Sequence, residues 1–209
     1  MTFSYNRIAG SSLERLAALS DGIFAVAMTL LVLDIHVPEK AEIHDEQSLI
    51  HALSLLAPRF LVFLMSVMTL GIFWVGQQTQ FNNLTRAARH FTWIHILFLA
   101  AISVMPFSTN LLAGFIGYRV ALLVYWLNIL IPGLLLYLSW RIARAESLTK
   151  EATTKEIACA IERRILIAQA LYAFGALLCL VNPYWSIGFI LLVQLNYAVA
   201  PRIPFLSKF

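Results

Sequence analysis

Residues 15–38 decide the fold of this chain, and they read RLAALSDGIFAVAMTLLVLDIHVP. Their apolar part, about 16–35, has the roughly 20 residues that an α-helix needs to cross the hydrocarbon core of a bilayer. Pro38 ends it. No credible small-residue cleavage site follows, so the stretch predicts a retained transmembrane helix rather than a signal peptide. Asp21 lies about five residues into the segment, and an ionisable residue inside a spanning helix is costly and usually functional.

The composition agrees with a membrane protein. Of the 209 residues, 60% are hydrophobic and 12% are charged, against about 45–50% and 25% in soluble domains. Such a chain is too apolar for intrinsic disorder. At roughly 20 residues per crossing, it has room for at most about six or seven spans. Little then remains for a soluble catalytic domain.

Five further hydrophobic segments follow the first. None shows the alternation of a barrel strand, so we predict an all-α, polytopic membrane protein with six transmembrane helices in a single domain, 1–209. Pro106 interrupts the third segment, and the sixth is the shortest. A mixed-charge segment at about 141–164, helix or loop, separates the fourth from the fifth. The five later segments lie at about 53–76, 91–112, 119–140, 165–181 and 184–199.

The basic residues predict the orientation. With six spans, 12 of the 15 basic residues fall on the side of both termini, which is therefore expected to be cytoplasmic. The excess of Lys and Arg reports this orientation rather than binding of nucleic acid. That side holds Arg7, Arg15, Arg86, Arg89, Arg141, Arg144, Lys150, Lys155, Arg163, Arg164, Arg202 and Lys208, and the other side holds Lys40, Arg59 and Arg119.

The connection after the first segment is acidic, with Glu39, Glu42, Asp45 and Glu46. It is either a solvated loop or a weak cation-attracting mouth. The tryptophans all fall near predicted span ends, where interfacial anchoring is the default expectation. They are Trp74, Trp93, Trp126, Trp140 and Trp185.

One face of the first helix groups several small and apolar residues. At 100° per residue, Gly22, Val26, Thr29, Leu30 and Leu33 fall within about 60° of one line. Such a stripe is either helix packing or lipid contact, or the lining of a pore, since hydrophobic constrictions can gate channels. Spacing alone does not decide between them.

Two charged residues of the first helix lie on different sides of it, Asp21 opposite the stripe and Arg15 on the side of Val26, nearer the cytoplasm. Arg15 and Asp21 do not face each other on a straight helix, so each requires partners from other helices or another subunit. Asp21 alone is equally a structural anchor or a functional group.

The stretch beginning Arg15, with Ser20 and Asp21, resembles the Arg-x-x-x-Phe-Ser-Asp signature of the transmembrane protein 175 family of potassium channels, with Leu19 where the family usually has Phe. The terminal Asp-Ile-x-Val-Pro at 34–38 and the Pro-Phe-Ser-Thr at 106–109 also resemble family segments. The resemblance implies a six-helix subunit with cytoplasmic termini, and for a single-unit chain a homotetramer in the plasma membrane of a prokaryote.

The resemblance also implies site residues. The first helices of the subunits line the pore, and apolar layers replace a Thr-Val-Gly-Tyr-Gly filter, which this sequence lacks. Carried over by distance from Asp21, the layers fall at Val26, Leu30 and Leu33, with Thr29 at a polar pore position. Arg15, Ser20 and Asp21 are then expected to hold the pore helix against its neighbours.

Two positions depart from the family. Gln77-Gln78 stands where many members have a His pair, and His95 stands where many have Asn. These three residues are possible members of a polar network around Arg15 and Asp21. His95 is either a packing histidine or a titratable member.

The predicted function is therefore passive conduction of potassium along this helix, with bilayer lipid and its own copies as partners. The alternative is a small secondary transporter that uses Asp21 as its coupling group, and a structural role comes third. No catalytic set, phosphate loop or metal-ligand spacing supports an enzyme, a cofactor or a bound metal beyond permeant potassium. Cys159 and Cys179, about 30 Å apart on one helix, cannot form a disulfide within one chain.

Overall fold

The structure, a computed structural model, describes residues 12–39 and 43–199. These residues form helices, and the isolated bridge between Leu84 and Thr149 is the only β pairing among them. The all-α prediction is confirmed for this part of the chain. The helices are α1 (Leu13–Leu33), α2 (Glu46–Leu55), α3 (Ala57–Asn82), α4 (Arg89–Ser103), α5 (Met105–Gly114), α6 (Arg119–Ala145), α7 (Lys155–Leu177), a 3₁₀ turn (Leu178–Leu180) and α8 (Pro183–Val199).

Five helical segments in the described ranges are long and apolar enough to cross a membrane. They are α1, α3, α4 with α5, α6, and α7 with its 3₁₀ turn. The third predicted span is interrupted between α4 and α5 at Val104, just before Pro106, as predicted. The sixth predicted segment, α8, has 17 residues, and at 1.5 Å per residue it is about 26 Å long. The sixth crossing therefore stays a prediction.

A separate short helix precedes the second span, where the sequence predicts a polar loop running directly into it. Asp45 caps α2, because its carboxylate accepts from the Ser48 amide at 2.7 Å while the Ser48 hydroxyl accepts from the Asp45 amide at 3.0 Å. Pro58 lies in the first turn of α3, where its missing N–H costs nothing. The polar residues thus start a helix rather than prolong the loop.

The predicted mixed-charge segment 141–164 is mostly helical. The helix α6 continues to Ala145, and α7 begins at Lys155 with Thr154 as its cap. The short connection between them is tied to the α3–α4 connection by two backbone bonds, from the Thr85 amide to the Leu148 carbonyl and from the Lys150 amide to the Asn83 carbonyl, both 2.9 Å. The spans therefore extend beyond their apolar centres.

Two apolar clusters hold the bundle together. The larger one packs Phe24 and Leu31 of α1 against side chains of α3 to α8, such as Met65 and Phe98. The smaller one gathers the start of α1, the end of α3, the start of α4, the end of α6 and the start of α7 around Trp140, which is fully buried. This cluster places the two basic connections and the start of α1 at the same end of the molecule. Trp140 is therefore a core residue, and the expectation that it anchors at an interface is wrong.

Buried hydrogen bonds connect the helices near the centre of the bundle. Gln194 of α8 donates to the Thr69 hydroxyl of α3 at 2.7 Å, and Thr69 lies 3.4 Å from the Tyr125 hydroxyl of α6. Thr109 of α5 donates to Ser66 of α3 at 2.7 Å. Buried hydrogen bonds between helices specify how the helices pack.

Candidate functional site

The helix α1 packs on the bundle through one narrow seam. Its buried residues are Leu16, Ser20, Phe24, Ala27 and Leu31, whose spacing of three and four residues keeps them on one side of a helix. The seam contacts α3, α4 and α5. Leu13, Ala17, Ile23 and Met28 are half-buried beside the seam. The remaining surface of α1 is left uncovered by the described residues of the chain.

The predicted stripe lies on this uncovered part. Val26 is 56% exposed, Leu30 43% and Leu33 67%, and Thr29 is also exposed. The Thr29 hydroxyl donates to the carbonyls of Ala25 and Val26 within its own helix. A shallow cavity of about 410 Å³ is lined by Gly22, Val26 and Leu30 of the stripe, together with neighbouring residues. The face is thus free to meet lipid, another subunit or a pore.

Asp21 has partners on α3. Its Oδ1 accepts from Trp74 Nε1 at 2.8 Å and from Gln78 Nε2 at 3.3 Å. The sequence requires a partner from another helix for this carboxylate but does not identify Trp74, which it treats as an interfacial anchor. Trp74 lies 53 residues from Asp21 in the sequence, and no local pattern links the two.

Arg15 stands apart from this anchor. Its side chain is exposed, and its guanidinium has no hydrogen bond or ion pair with any residue of 12–39 or 43–199; its backbone amide bonds to the Ser12 hydroxyl. As expected from the helical angles, it does not pair with Asp21. Leu19, also part of the motif, is 49% exposed. The motif residues therefore point in different directions.

Ser20 makes a second polar contact to the bundle. Its hydroxyl donates to the Leu16 carbonyl at 2.8 Å and lies 3.2 Å from His95 Nε2 on α4. The His95 ring is fully buried and packs against Phe81, Phe91 and Phe98. His95 therefore combines packing with a hydrogen bond to α1.

Gln77 and Gln78 have different surroundings. The structure brings Gln78 to Asp21, whereas Gln77 is fully buried and neither atom of its amide has a hydrogen-bond partner among the described residues. An amide buried in this way costs free energy unless water satisfies it. Of the three possible network members, Gln78 and His95 are within hydrogen-bonding distance of motif residues, and Gln77 has no hydrogen bond to them.

The far end of α1 carries a contact that sequence reasoning missed. Asn110 Nδ2 of α5 donates to Asp34 Oδ1 at 2.8 Å. The two residues are 76 positions apart. The sequence shows that a carboxylate, Asp34, ends an apolar helix and therefore requires a polar partner, but it does not identify Asn110 as that partner.

No group of three or more His, Cys, Asp or Glu side chains in the described ranges can hold a metal ion. Cys159 is exposed and Cys179 buried, and neither is bonded.

The bundle of apolar helices defines a polytopic integral membrane protein. A family model described as "Endosomal/lysosomal potassium channel TMEM175" matches residues 15–106. A potassium channel of Chamaesiphon minutus is 30% identical over 193 residues, which cover 90% of this chain and 95% of that protein. The chain therefore belongs to the TMEM175 family.

A solved structure gives the same result for the fold. The crystal structure of a lysosomal potassium-selective channel TMEM175 homolog from Chamaesiphon minutus superimposes with a TM-score of 0.79 at 29% identity, covering 90% of this chain and 97% of that one. The human relative, an endosomal/lysosomal proton channel, is 33% identical over 118 residues, and the match spans 23% of its length. These relatives are ion channels and not enzymes.

Proposed function

We propose that this chain is a potassium-permeable cation channel that conducts passively through a pore lined by α1. The observation that carries the proposal is the uncovered stripe of α1 in a chain of this family: Val26, Leu30 and Leu33 are 43–67% exposed although they lie on a membrane helix with a buried seam on its other side. Rings of such residues from several subunits would form the constriction layers. Thr29 would add a hydroxyl between them.

The assembly that fits this proposal is a homotetramer with four copies of α1 around the axis. Each subunit would cross the membrane six times, with α8 as the short last crossing. Both termini would be cytoplasmic, since the basic connections share one end of the molecule with the start of α1. A prokaryotic plasma membrane is the expected location, in line with the bacterial relatives. No cofactor is needed, and lipid and monovalent cations are the other partners.

The hydrogen bonding of Asp21 favours a channel over a transporter. A coupling group must bind and release its ion during each cycle, whereas Asp21 accepts two hydrogen bonds from α3. We assign Asp21, with Ser20, to holding α1 in place. Without a carbonyl cage around the ion, the selectivity for potassium should be modest.

Single-channel recording in planar bilayers tests this proposal. We expect potassium currents at rates above those of alternating carriers, and we expect Leu30→Ala to raise the conductance or weaken discrimination against sodium. Leu64→Ala is the matched control, because Leu64 is 53% exposed, like the stripe residues, but belongs to α3 rather than α1. The proton current measured in the same bilayers separates a potassium channel from a proton channel like that named for the animal relatives.

Two results would overturn the assignment. Slow, saturable flux coupled to a second solute would show a transporter. Unchanged permeation in Leu30→Ala and Val26→Ala, together with an altered current in Leu64→Ala, would place the pore elsewhere.

A further inference from the structure

Asp34 ends α1 at the end opposite the Arg15–Asp21 motif. Its side chain is half-buried, and Asn110 fixes one carboxylate oxygen by a 2.8 Å hydrogen bond. The other oxygen, Oδ2, has no protein hydrogen bond within the described residues. A carboxylate held at one oxygen and open at the other is oriented and still able to accept a ligand.

The helix itself adds negative potential at the same place. The last carbonyls of a helix lack intrahelical donors and carry about half an elementary negative charge. The last turn of α1 contains no basic residue, although a Lys or Arg there commonly offsets this potential. The Asp34 charge and the end of the helix therefore act in the same direction.

This carboxylate borders the proposed conduction path. Asp34, Leu30 and Leu33 line the same open cavity of about 480 Å³, together with Phe107 and Asn110 of α5. Leu30 and Leu33 are the two outer apolar layers of the stripe. A cation leaving or approaching those layers would pass the Asp34 side chain within this cavity.

We propose that Asp34 is a cation-attracting site at the outer mouth of the pore, with one carboxylate from each subunit and hydrated monovalent cations as its ligands. The inference rests on the proposed function, because it requires α1 to face the pore. A ring of fixed negative charge concentrates cations at a narrow entrance and raises the entry rate without narrowing the pore. Asn110 is the positioning residue that keeps the carboxylate directed to this entrance.

The experiment compares single-channel potassium currents that enter from the Asp34 side in wild type and Asp34→Asn. At about 20 mM salt the Debye length is over 20 Å, and at about 1 M it is about 3 Å. We therefore expect Asp34→Asn to lower the entering current by about two-fold or more at low salt, with the difference lost at high salt. The opposite current direction should change less.

Matched variants separate this site from general surface charge. Glu39→Gln removes an exposed negative charge five residues further along the chain and should leave the low-salt current nearly unchanged. Asp34→Glu retains the charge and should retain most of the current, which controls for folding and assembly. Asn110→Leu should give a smaller loss than Asp34→Asn.

The outcomes distinguish this inference from the proposed function. Wild-type currents in Asp34→Asn at low salt, or an equal loss in Glu39→Gln, overturn the inference; if Leu30→Ala still alters conduction, the pore assignment stands. If Leu30→Ala and Val26→Ala also conduct like wild type while Leu64→Ala does not, both the site and the pore face are wrong. A salt-dependent loss in Asp34→Asn alone supports the site.

Discussion

The bond between Trp74 and Asp21 allows a quantitative test of how α1 is held. Trp74→Phe removes the indole N–H that donates to Asp21 at 2.8 Å and keeps an aromatic ring on α3. Asp21→Ala removes the acceptor. The double variant then measures the coupling between the two side chains, free of the separate packing cost of each change.

The magnitude follows from the geometry. Hydrogen bonds between membrane helices average about 0.6 kcal/mol in double-mutant cycles, with a maximum near 1.7. Bonds to an ionised group are roughly twice as strong as neutral ones. We therefore expect a coupling of about 1–2 kcal/mol between Trp74 and Asp21. Gln78 donates at 3.3 Å, beyond the usual range of about 2.7–3.2 Å, so its coupling should be about 0.5 kcal/mol or less.

The free energy of unfolding is measured in detergent by titration with dodecyl sulfate and followed by far-UV circular dichroism. All variants are compared at one protein concentration, because assembly of subunits shifts the apparent stability by mass action. A second double-mutant cycle, with Gln78→Leu and Asp21→Ala, measures the coupling between Gln78 and Asp21 under the same conditions. A Trp74–Asp21 coupling below about 0.3 kcal/mol, within the additivity error of independent sites, would refute the anchor.

Three further predictions concern the ends of the bundle. Leu148 is fully buried in the smaller cluster, so Leu148→Ala should lower the free energy of unfolding by about 2–5 kcal/mol. Leu138 is exposed, and a loss in Leu148→Ala no larger than that in Leu138→Ala would contradict this packing. Ser147 has φ of 52°, so Ser147→Gly should raise the melting temperature by relieving up to about 1 kcal/mol of strain; a lower melting temperature would argue against that strain. The Ser48 amide donates a hydrogen bond to the Asp45 carboxylate and lowers its pKa. The cap therefore stabilises α2 fully above the unfolded pKa of about 3.9, and this stabilisation is lost as the pH falls through the lower folded pKa. A Ser48 amide chemical shift that titrates at or above pH 3.9 would show that the cap is absent.

The face of α1 was predictable because it depends only on helical geometry. A rotation of 100° per residue puts Val26, Leu30 and Leu33 together in any helix, whatever surrounds it. The structure adds that this face is uncovered by the described residues and that the buried seam lies on another side of the helix. Sequence spacing defined the stripe, while the packing of α3, α4 and α5 decided which part of α1 is buried.

The contacts of the polar residues were not predictable in the same way. Trp74 and Asn110 reach Asp21 and Asp34 across 53 and 76 residues, and such contacts depend on how the helices pack. Capping by Asp45 and Thr154 shifted helix starts into stretches that composition marked as polar. Local hydrogen bonds can begin a helix where hydropathy predicts a loop.

Asp21 lies outside the stripe, but it should still affect conduction because it helps to fix the rotation of α1 and therefore the direction in which the stripe points. A helix that leaves so much of its surface open has few contacts to fix its rotation. In the described residues these are the buried seam, in which Ser20 meets His95, and two polar anchors outside it, Asp21 on α3 and Asp34 on Asn110 of α5. At a side-chain radius of about 5 Å, a rotation of about 20° moves the stripe by nearly 2 Å. Asp21→Ala should therefore change the single-channel conductance as well as the stability, although Asp21 lies on the far side of the helix from Val26. An unchanged conductance in a measurably destabilised Asp21→Ala channel would show that the rotation of α1 is fixed without the Asp21 anchor.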